Sequence, residues 1–220
     1  MIFDVRSYDL RPGALPAYRD AVREVALPVR RRYGIALAGW FSAETGPLSR
    51  VVHIWAFRDW QHLEHAKREF RQDPQWTGEY LPRVLPLIRR QHCETMLAAD
   101  FWERRLGTSG TGSVGVYDLR TYDFKPGGVP AYLASVREIS LPIVERYGVR
   151  LAGWYYTEIG TLNRVLHVWA YRDGAHLSES RRQSHREPRW IDEHLPLVRA
   201  LVVAQHSELV QAADFSPLPP

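Results

Sequence analysis

The 220-residue chain has a single cysteine, Cys93. That excludes an internal disulfide framework and any cysteine-rich metal site. Lysine is almost missing as well: Lys67 and Lys125 are the only two, so arginine carries nearly all the positive charge. No apolar run approaches the ~20 residues that a bilayer span requires, and no membrane partner is expected. The first residues, Met-Ile-Phe-Asp-Val-Arg, carry Asp4 and Asp9 early. They read as neither a secretory signal nor an acid-poor transit peptide, and cytoplasmic residence is the expectation.

Hydrophobic residues make up 45% and charged residues 25%, the mixture of a globular protein rather than a disordered one. The formal charge is +4 and the pI about 9.3. The densest basic run is Arg30-Arg31-Arg32, whose counterpart later in the chain reads Val144-Glu145-Arg146. Nucleic-acid binding needs basic residues gathered on one surface, so a solvated helix face is the expected reading and no nucleic-acid partner is expected.

What the chain does contain is a duplication. Arg6-Ser-Tyr8-Asp9 recurs as Arg120-Thr-Tyr122-Asp123, Leu37-Ala-Gly-Trp40 as Leu151-Ala-Gly-Trp154, and His53-Ile-Trp55-Ala as His167-Val-Trp169-Ala. Gln91-His92 recurs as Gln205-His206. The offset stays at 114 residues without a gap, with about half the positions identical. Gly107-Thr-Ser-Gly-Thr-Gly-Ser113 has the composition of a flexible linker. The expected layout is one domain over 1–101, a linker over 102–115, a second domain over 116–215 and a tail over 216–220. A period this long means two whole domains rather than a solenoid.

Each copy reads the same way. Residues 3–10 alternate as a strand, Pro12-Gly13 breaks the chain, and Leu15, Tyr18, Val22, Val25 and Val29 recur at helical spacing. Pro28 is expected to kink that helix and Gly34 to end it. Strands over 36–44 and 50–58 flank a Gly46-Pro47 turn, and Asp59 suits the N-cap of a helix over 60–70. A helical stretch over 75–87 and a strand over 88–97 complete a β-α-β-β-α-β order, the ferredoxin-like arrangement. The fold class is therefore α+β.

Alternation assigns the faces. Val52, Ile54 and Ala56 form an aliphatic face suited to cover by helices, while His53, Trp55 and Phe57 point the other way. Asp4, Arg6 and Tyr8 share a face, as do His92 with Glu94 and His206 with Glu208. The register of 36–44 stays open between two inward sets. Aromatic side chains bury ~150–250 Å² each, too much to leave open on a monomer. The expectation is that the aromatic-polar faces of the two copies pack sheet to sheet, closing a barrel within one chain.

The pattern Arg6-x-Tyr8-x-x-x-Pro12-Gly13, then Gly39-Trp40, then His53-x-Trp55, present twice, resembles the NIPSNAP family. The resemblance covers nearly the whole chain and implies the dimeric α/β-barrel superfamily, in which two ferredoxin-like units pair. That superfamily includes cofactor-independent monooxygenases, haem-handling enzymes, polyketide cyclases and lactone isomerases. Eukaryotic members of the family are mitochondrial adaptors in organelle quality control.

The candidate site residues follow from the polar set. Arg6 or Arg120 would hold a carboxylate or enolate oxygen, His53 or His167 would move a proton, and Tyr8 or Tyr122 would donate to a developing oxyanion. Trp40, Trp55, Trp154 and Trp169 would wall a cavity for an aromatic or carbonyl-bearing metabolite, with His92, Glu94, His206 and Glu208 as further ligand contacts. The alternative is that these residues satisfy one another, Arg6 pairing with Asp4 or Glu94. No permanent cofactor is expected; haem or a metal on His53, His92 and Glu94 is a second reading, and a non-catalytic adaptor a third. No nucleophile elbow, phosphate loop or dinucleotide fingerprint is present. His62 and His176 are expected to face solvent, and Trp76 and Trp190 to pack. The expected partner is a small molecule, and assembly into a homo-oligomer beyond the intrachain pair stays open.

Overall fold

The computed structural model describes residues 1–103 and 114–217. Eight strands among them form one closed antiparallel barrel: β1 (Ile2–Leu10), β2 (Ala36–Ala43), β3 (Arg50–Phe57), β4 (Ile88–Ala98), β5 (Val116–Phe124), β6 (Arg150–Ile159), β7 (Arg164–Tyr171) and β8 (Val202–Ala212). Around the barrel the order is β1-β3-β2-β8-β5-β7-β6-β4. Each half thus carries the ferredoxin-like order, β4-β1-β3-β2 and β8-β5-β7-β6. Two seams join the halves: β2 pairs with β8, and β4 with β6. Closure removes every sheet edge, which would otherwise template pairing with other chains. No helix among the described residues is long and apolar enough to cross a membrane.

The helices form where the periodicity places them. Asp59 has extended backbone and its carboxylate accepts from the His62 amide at 2.7 Å, capping Trp60–Phe70; Asp173 does the same for Gly174–Ser184. Gly34 and Gly148 end the first helix of each half at φ +69 and +74, a region costly for residues with a Cβ.

Pro28 produces a π-turn. Four Leu-Pro pairs each follow one: Val22–Ala26 precedes Leu27-Pro28, Trp76–Tyr80 precedes Leu81-Pro82, Val136–Ser140 precedes Leu141-Pro142, and Trp190–His194 precedes Leu195-Pro196. Proline has no N–H for the carbonyl four residues back, and its ring clashes with it. The leucine amide instead reaches back five residues, Leu27 to Val22 and Leu195 to Trp190. The extra residue widens the turn, and within it Trp190 and His194 meet with ring centroids 4.7 Å apart.

The open register of β2 has a simple cause: a bulge at Ala38. Leu37 pairs with Trp55, yet Gly39 pairs with Ile54. Trp40 therefore joins the face of His53, and Phe41 the face of Val52.

One assignment made from the sequence is reversed: the aliphatic faces meet inside the barrel, and the aromatic-polar faces lie outward beneath the helices. Phe3, Phe41, Val52, Ile54, Ala56, Met96, Leu119 and Tyr155 share one buried cluster. Phe3 meets Tyr155 at 4.8 Å and Phe41 meets Tyr117 at 5.3 Å, each joining the two halves. Trp40, Trp55 and Phe57 instead cluster with Tyr18, Phe70, Trp76 and Tyr80 from the helices. Alternation shows that a strand has two unlike faces; both were apolar enough to fill a barrel. What decides is hydrogen bonding, because the helices bring Lys67 to Asp4 and Tyr18 to His53, partners that an aliphatic wall could not supply.

Of the expected linker, Trp102 lies in the short helix Asp100–Glu103 and is buried, as is Val114; residues 104–113 fall outside the described residues.

Candidate functional site

The sequence-derived site residues separate onto two sides of the sheet. His92, Glu94, His206 and Glu208 face the barrel lumen. Arg6, Tyr8, Trp40, His53 and Trp55 lie under the helices of the first half, and Arg120, Tyr122, Trp154, His167 and Trp169 under those of the second. His53 therefore does not converge with His92 and Glu94 as a ligand set, and among the described residues no three His, Cys, Asp or Glu are placed to hold a metal.

In the lumen, a cavity of about 420 Å³ opens where Val5, Val52, Leu119 and Leu166 give way to polar residues. Glu94 accepts from Arg164 at 3.0 Å and Glu208 from Arg50 at 2.8 Å, each carboxylate meeting an arginine of the other half. Loops press onto these carboxylates. A Cβ on Gly160 would sit 2.9 Å from the Glu94 side chain, and Thr161 donates its amide to Glu94 at 3.2 Å. His92 and His206 approach the same carboxylates at 3.2 and 2.7 Å but remain largely exposed.

Under the helices, each half repeats one frame. Asp4 is fully buried and accepts from Arg6 at 2.7 Å, Lys67 at 2.9 Å and Cys93 at 2.9 Å. Burial alone would raise its pKa; the Arg6 and Lys67 charges outweigh that and hold the carboxyl well below the usual range. Arg6 thus pairs with Asp4 rather than Glu94. In the second half Asp118 accepts from Arg120 at 2.6 Å, from Ser207 at 2.5 Å, and from Arg181. Each arginine also donates to a tyrosine, Arg6 to Tyr8 at 3.1 Å and Arg120 to Tyr122 at 2.9 Å.

The histidines are held in one tautomer. Trp55 Nε1 donates to His53 Nδ1 at 2.5 Å, and Trp169 Nε1 to His167 Nδ1 at 2.6 Å. An indole nitrogen can only donate, so each imidazole has its lone pair at Nδ1 and, when neutral, its hydrogen at Nε2. Burial drives both histidines well below the ordinary imidazole pKa, with Arg30 adding to the effect at His53 and Arg120 at His167. In the neutral form each therefore presents an N–H donor at Nε2.

Here the halves diverge. His53 Nε2 lies 3.3 Å from the Tyr18 hydroxyl, whereas His167 Nε2 is buried with no hydrogen-bond partner among the described residues. His53 stacks on Tyr8 at 4.9 Å; His167 stacks on Trp154 at 4.4 Å. Around His53 the space is filled. Arg30, only 2% exposed, lays its guanidinium over Trp55 at 4.2 Å, Phe70 at 4.7 Å and Trp76 at 5.1 Å. The expected solvated face of Arg30-Arg31-Arg32 is thus corrected at its first residue, which is core, while Arg31 and Arg32 are exposed.

The second half has Val144 at the position of Arg30, Ser184 at that of Phe70, Ser180 at that of Ala66, Ser140 at that of Ala26 and His194 at that of Tyr80. A cavity of about 260 Å³ occupies the space, reaching Arg120, Tyr122, His167 and Trp169. Arg181, His185, Trp190 and His194 line its far side, where His185 is exposed and the cavity opens. Burial, with His185 nearby, brings His194 down to about 4, and burial followed by Arg120 lowers His185. Ser140, Ser180, Ser184, His185, His194 and Arg181 were missed as site residues from sequence. The signal was available in the 114-residue comparison, as large-to-small and apolar-to-polar exchanges clustered at helix positions. Trp190 lines this cavity, while Trp76 packs as expected.

His62 and His176, expected at the surface, are buried. Each accepts an amide at Nδ1 and meets a backbone carbonyl at Nε2, His62 with Tyr33 at 2.9 Å and His176 with Tyr147 at 2.8 Å, tying the second helix to the end of the first.

Two ferredoxin-like halves sealed into one barrel, with the helices outside, define a dimeric α/β-barrel protein whose dimer is contained in a single chain. The chain belongs to the NIPSNAP family, whose model matches it twice, over residues 3–102 and 117–217. Human NipSnap homolog 3A is 27% identical over 219 residues, spanning 99% of this chain and 86% of that protein. The Drosophila melanogaster protein NipSnap is 22% identical over 223 residues, covering 99% of this chain and 78% of its own length. A proposed monooxygenase from Lactobacillus acidophilus superimposes with a TM-score of 0.63 at 10% identity, over 96% of this chain and 93% of its own. At that identity the likeness is one of fold.

Proposed function

We propose that the protein binds a small molecule in the cavity under the helices of its second half, and that the first half supplies the scaffold. One observation carries this reading. The same position in one frame is filled by Arg30 and Phe70 in the first half and left open, with a buried unpartnered donor on His167, in the second. Packed interiors seldom leave a polar atom unsatisfied, and one that borders open space, as His167 Nε2 does, is placed to meet whatever fills it. Enclosed, mostly apolar space with a few converging polar groups is the usual form of a ligand site. Cofactor-independent chemistry on the bound molecule would draw on Arg120 and Tyr122, whose hydroxyl accepts from that arginine and is thereby polarised to donate.

Protein-observed NMR with a fragment set of aromatic acids, phenols and amides tests the placement. Shifts are expected at the Trp169 and Trp190 indole N–H signals, and they should vanish in the double variant Val144→Arg/Ser184→Phe, which copies the filling of the first half. Shifts that survive the double variant, or that gather at His92 and His206 in the lumen, would remove the cavity from the reading.

A further inference from the structure

The second-half cavity also carries a statement about what it holds, one that rests on the binding reading above. Its polar atoms are unbalanced in kind. Beside His167 Nε2, the Nε of Arg181 is buried and lacks a hydrogen-bond partner among the described residues. The first is a donor because Trp169 occupies the other ring nitrogen, and the second because a guanidinium has no acceptor. Two unfilled buried donors ask for acceptors, because each has given up its water without a partner in exchange.

The fixed charge points the same way. Arg120 and Arg181 share one carboxylate, Asp118. Two guanidiniums against one carboxylate leave one positive charge in excess, and His167, His185 and His194 are all held toward the neutral form. Arg6 and Lys67 stand against Asp4 in the same ratio, but here the excess borders open space, where a ligand of one negative charge can meet it.

Shape supplies the third constraint. In the first half the space is taken by a guanidinium, a planar group lying 4.2 Å over the Trp55 ring. Its counterpart Trp169 lines the open cavity, together with Tyr132 and Trp190. Aromatic walls of this kind favour a flat guest that can stack on them.

We propose that the molecule held in this cavity is a small planar organic monoanion, a conjugated carboxylate or enolate, whose oxygens take up the unfilled donors of His167 and Arg181 while its flat body lies on Trp169. His167 acts as a fixed hydrogen-bond donor to the anion and not as a proton acceptor. The nearest simple probes are benzoate, its uncharged relative benzamide and the cation benzylammonium, which share one ring and differ in charge.

Isothermal titration of the full chain with the three probes tests the assignment. Benzoate is expected to bind at least tenfold more tightly than benzamide, with benzylammonium undetectable. Arg181→Gln should weaken benzoate about tenfold and leave benzamide within twofold, and the folded state of that variant is checked by its thermal midpoint. Equal or tighter binding of benzamide or benzylammonium, abolished by Val144→Arg/Ser184→Phe, would overturn the anion assignment and leave the cavity as the ligand site. Binding of benzoate that persists in the double variant, or no binding of any probe, would overturn both.

Discussion

A histidine with an indole N–H pressed against its Nδ1 cannot take a second proton without setting two hydrogens face to face. His53 and His167 share this lock, and burial adds to it. The consequence for stability has a definite sign. The unfolded chain binds protons at these histidines near pH 6.5 and the folded chain refuses them, so stability is lost as pH falls below that value. The slope should be about 1.4 kcal/mol per pH unit for each histidine held neutral. Urea midpoints measured between pH 6.5 and 5 should therefore fall steadily. His194, brought down to about 4, contributes to the same window. His194→Tyr, which restores the residue found at Tyr80, should remove about one proton from the slope; an unchanged slope would exclude His194. Asp4 acts in the same direction but lower: its depressed carboxyl loses its contribution only below its unfolded value of 3.8. At this scale the sequence showed which residues were unusual, His, Arg, Tyr and Trp at alternate positions. It could not show that Trp55 and Trp169 donate to histidine, because that depends on side-chain rotamers two residues apart on one face.

Elements explain why the two halves differ. The helix from Leu15 to Arg32 and its repeat from Gly128 to Arg146 are built alike, π-turn and Leu-Pro included. The exchange of Arg30 for Val144 falls two residues beyond the proline. Arg30 has Nε and Nη1 buried without partners among the described residues, and burial pulls its pKa down to about 10. Ring faces hold it instead, an interaction worth about 2 kcal/mol when desolvated. Arg30→Ala should cost about 2–4 kcal/mol by chemical denaturation, since it loses the ring contacts and leaves a void. Arg30→Met should cost less than about 1.5 kcal/mol, because a flexible apolar chain fills the space without a buried charge. If the methionine variant proves as damaging as the alanine one, the guanidinium has a role beyond filling. Element boundaries were legible almost to the residue, from Asp59 as cap to Gly34 as stop. The bulge at Ala38 was not, since Leu37-Ala-Gly-Trp40 offers an apolar residue in either register.

For the whole molecule, the two seams are reinforced by a reciprocal pair of ion bridges, Glu94 with Arg164 and Glu208 with Arg50. The glutamates are nearly inaccessible while the arginines keep some solvent contact, so each bridge is worth less than a fully buried one. Glu94→Gln is expected to lower stability by about 1–3 kcal/mol. Glu94→Gln/Arg164→Gln in combination should cost less than the sum of its parts, a coupling read from a double-mutant cycle. An additive cycle would mean that the bridge is incidental to closure. The duplication, the element order and the barrel itself could be read from the sequence. Which face turned inward could not, because the choice is made between two sheets and their helices together, and no single strand carries it.

A dimer of identical chains makes every substitution twice. Any residue that packs one site solid packs the other, and any residue that opens one opens both. Fusion of the copies lifts that rule. Here a gene segment coding for Arg30 and Phe70 and another coding for Val144 and Ser184 are free to drift apart, so rigidity can be lodged in one half while the other keeps its vacancy. Joining the two copies in one chain is what allows a symmetrical architecture to become unequal.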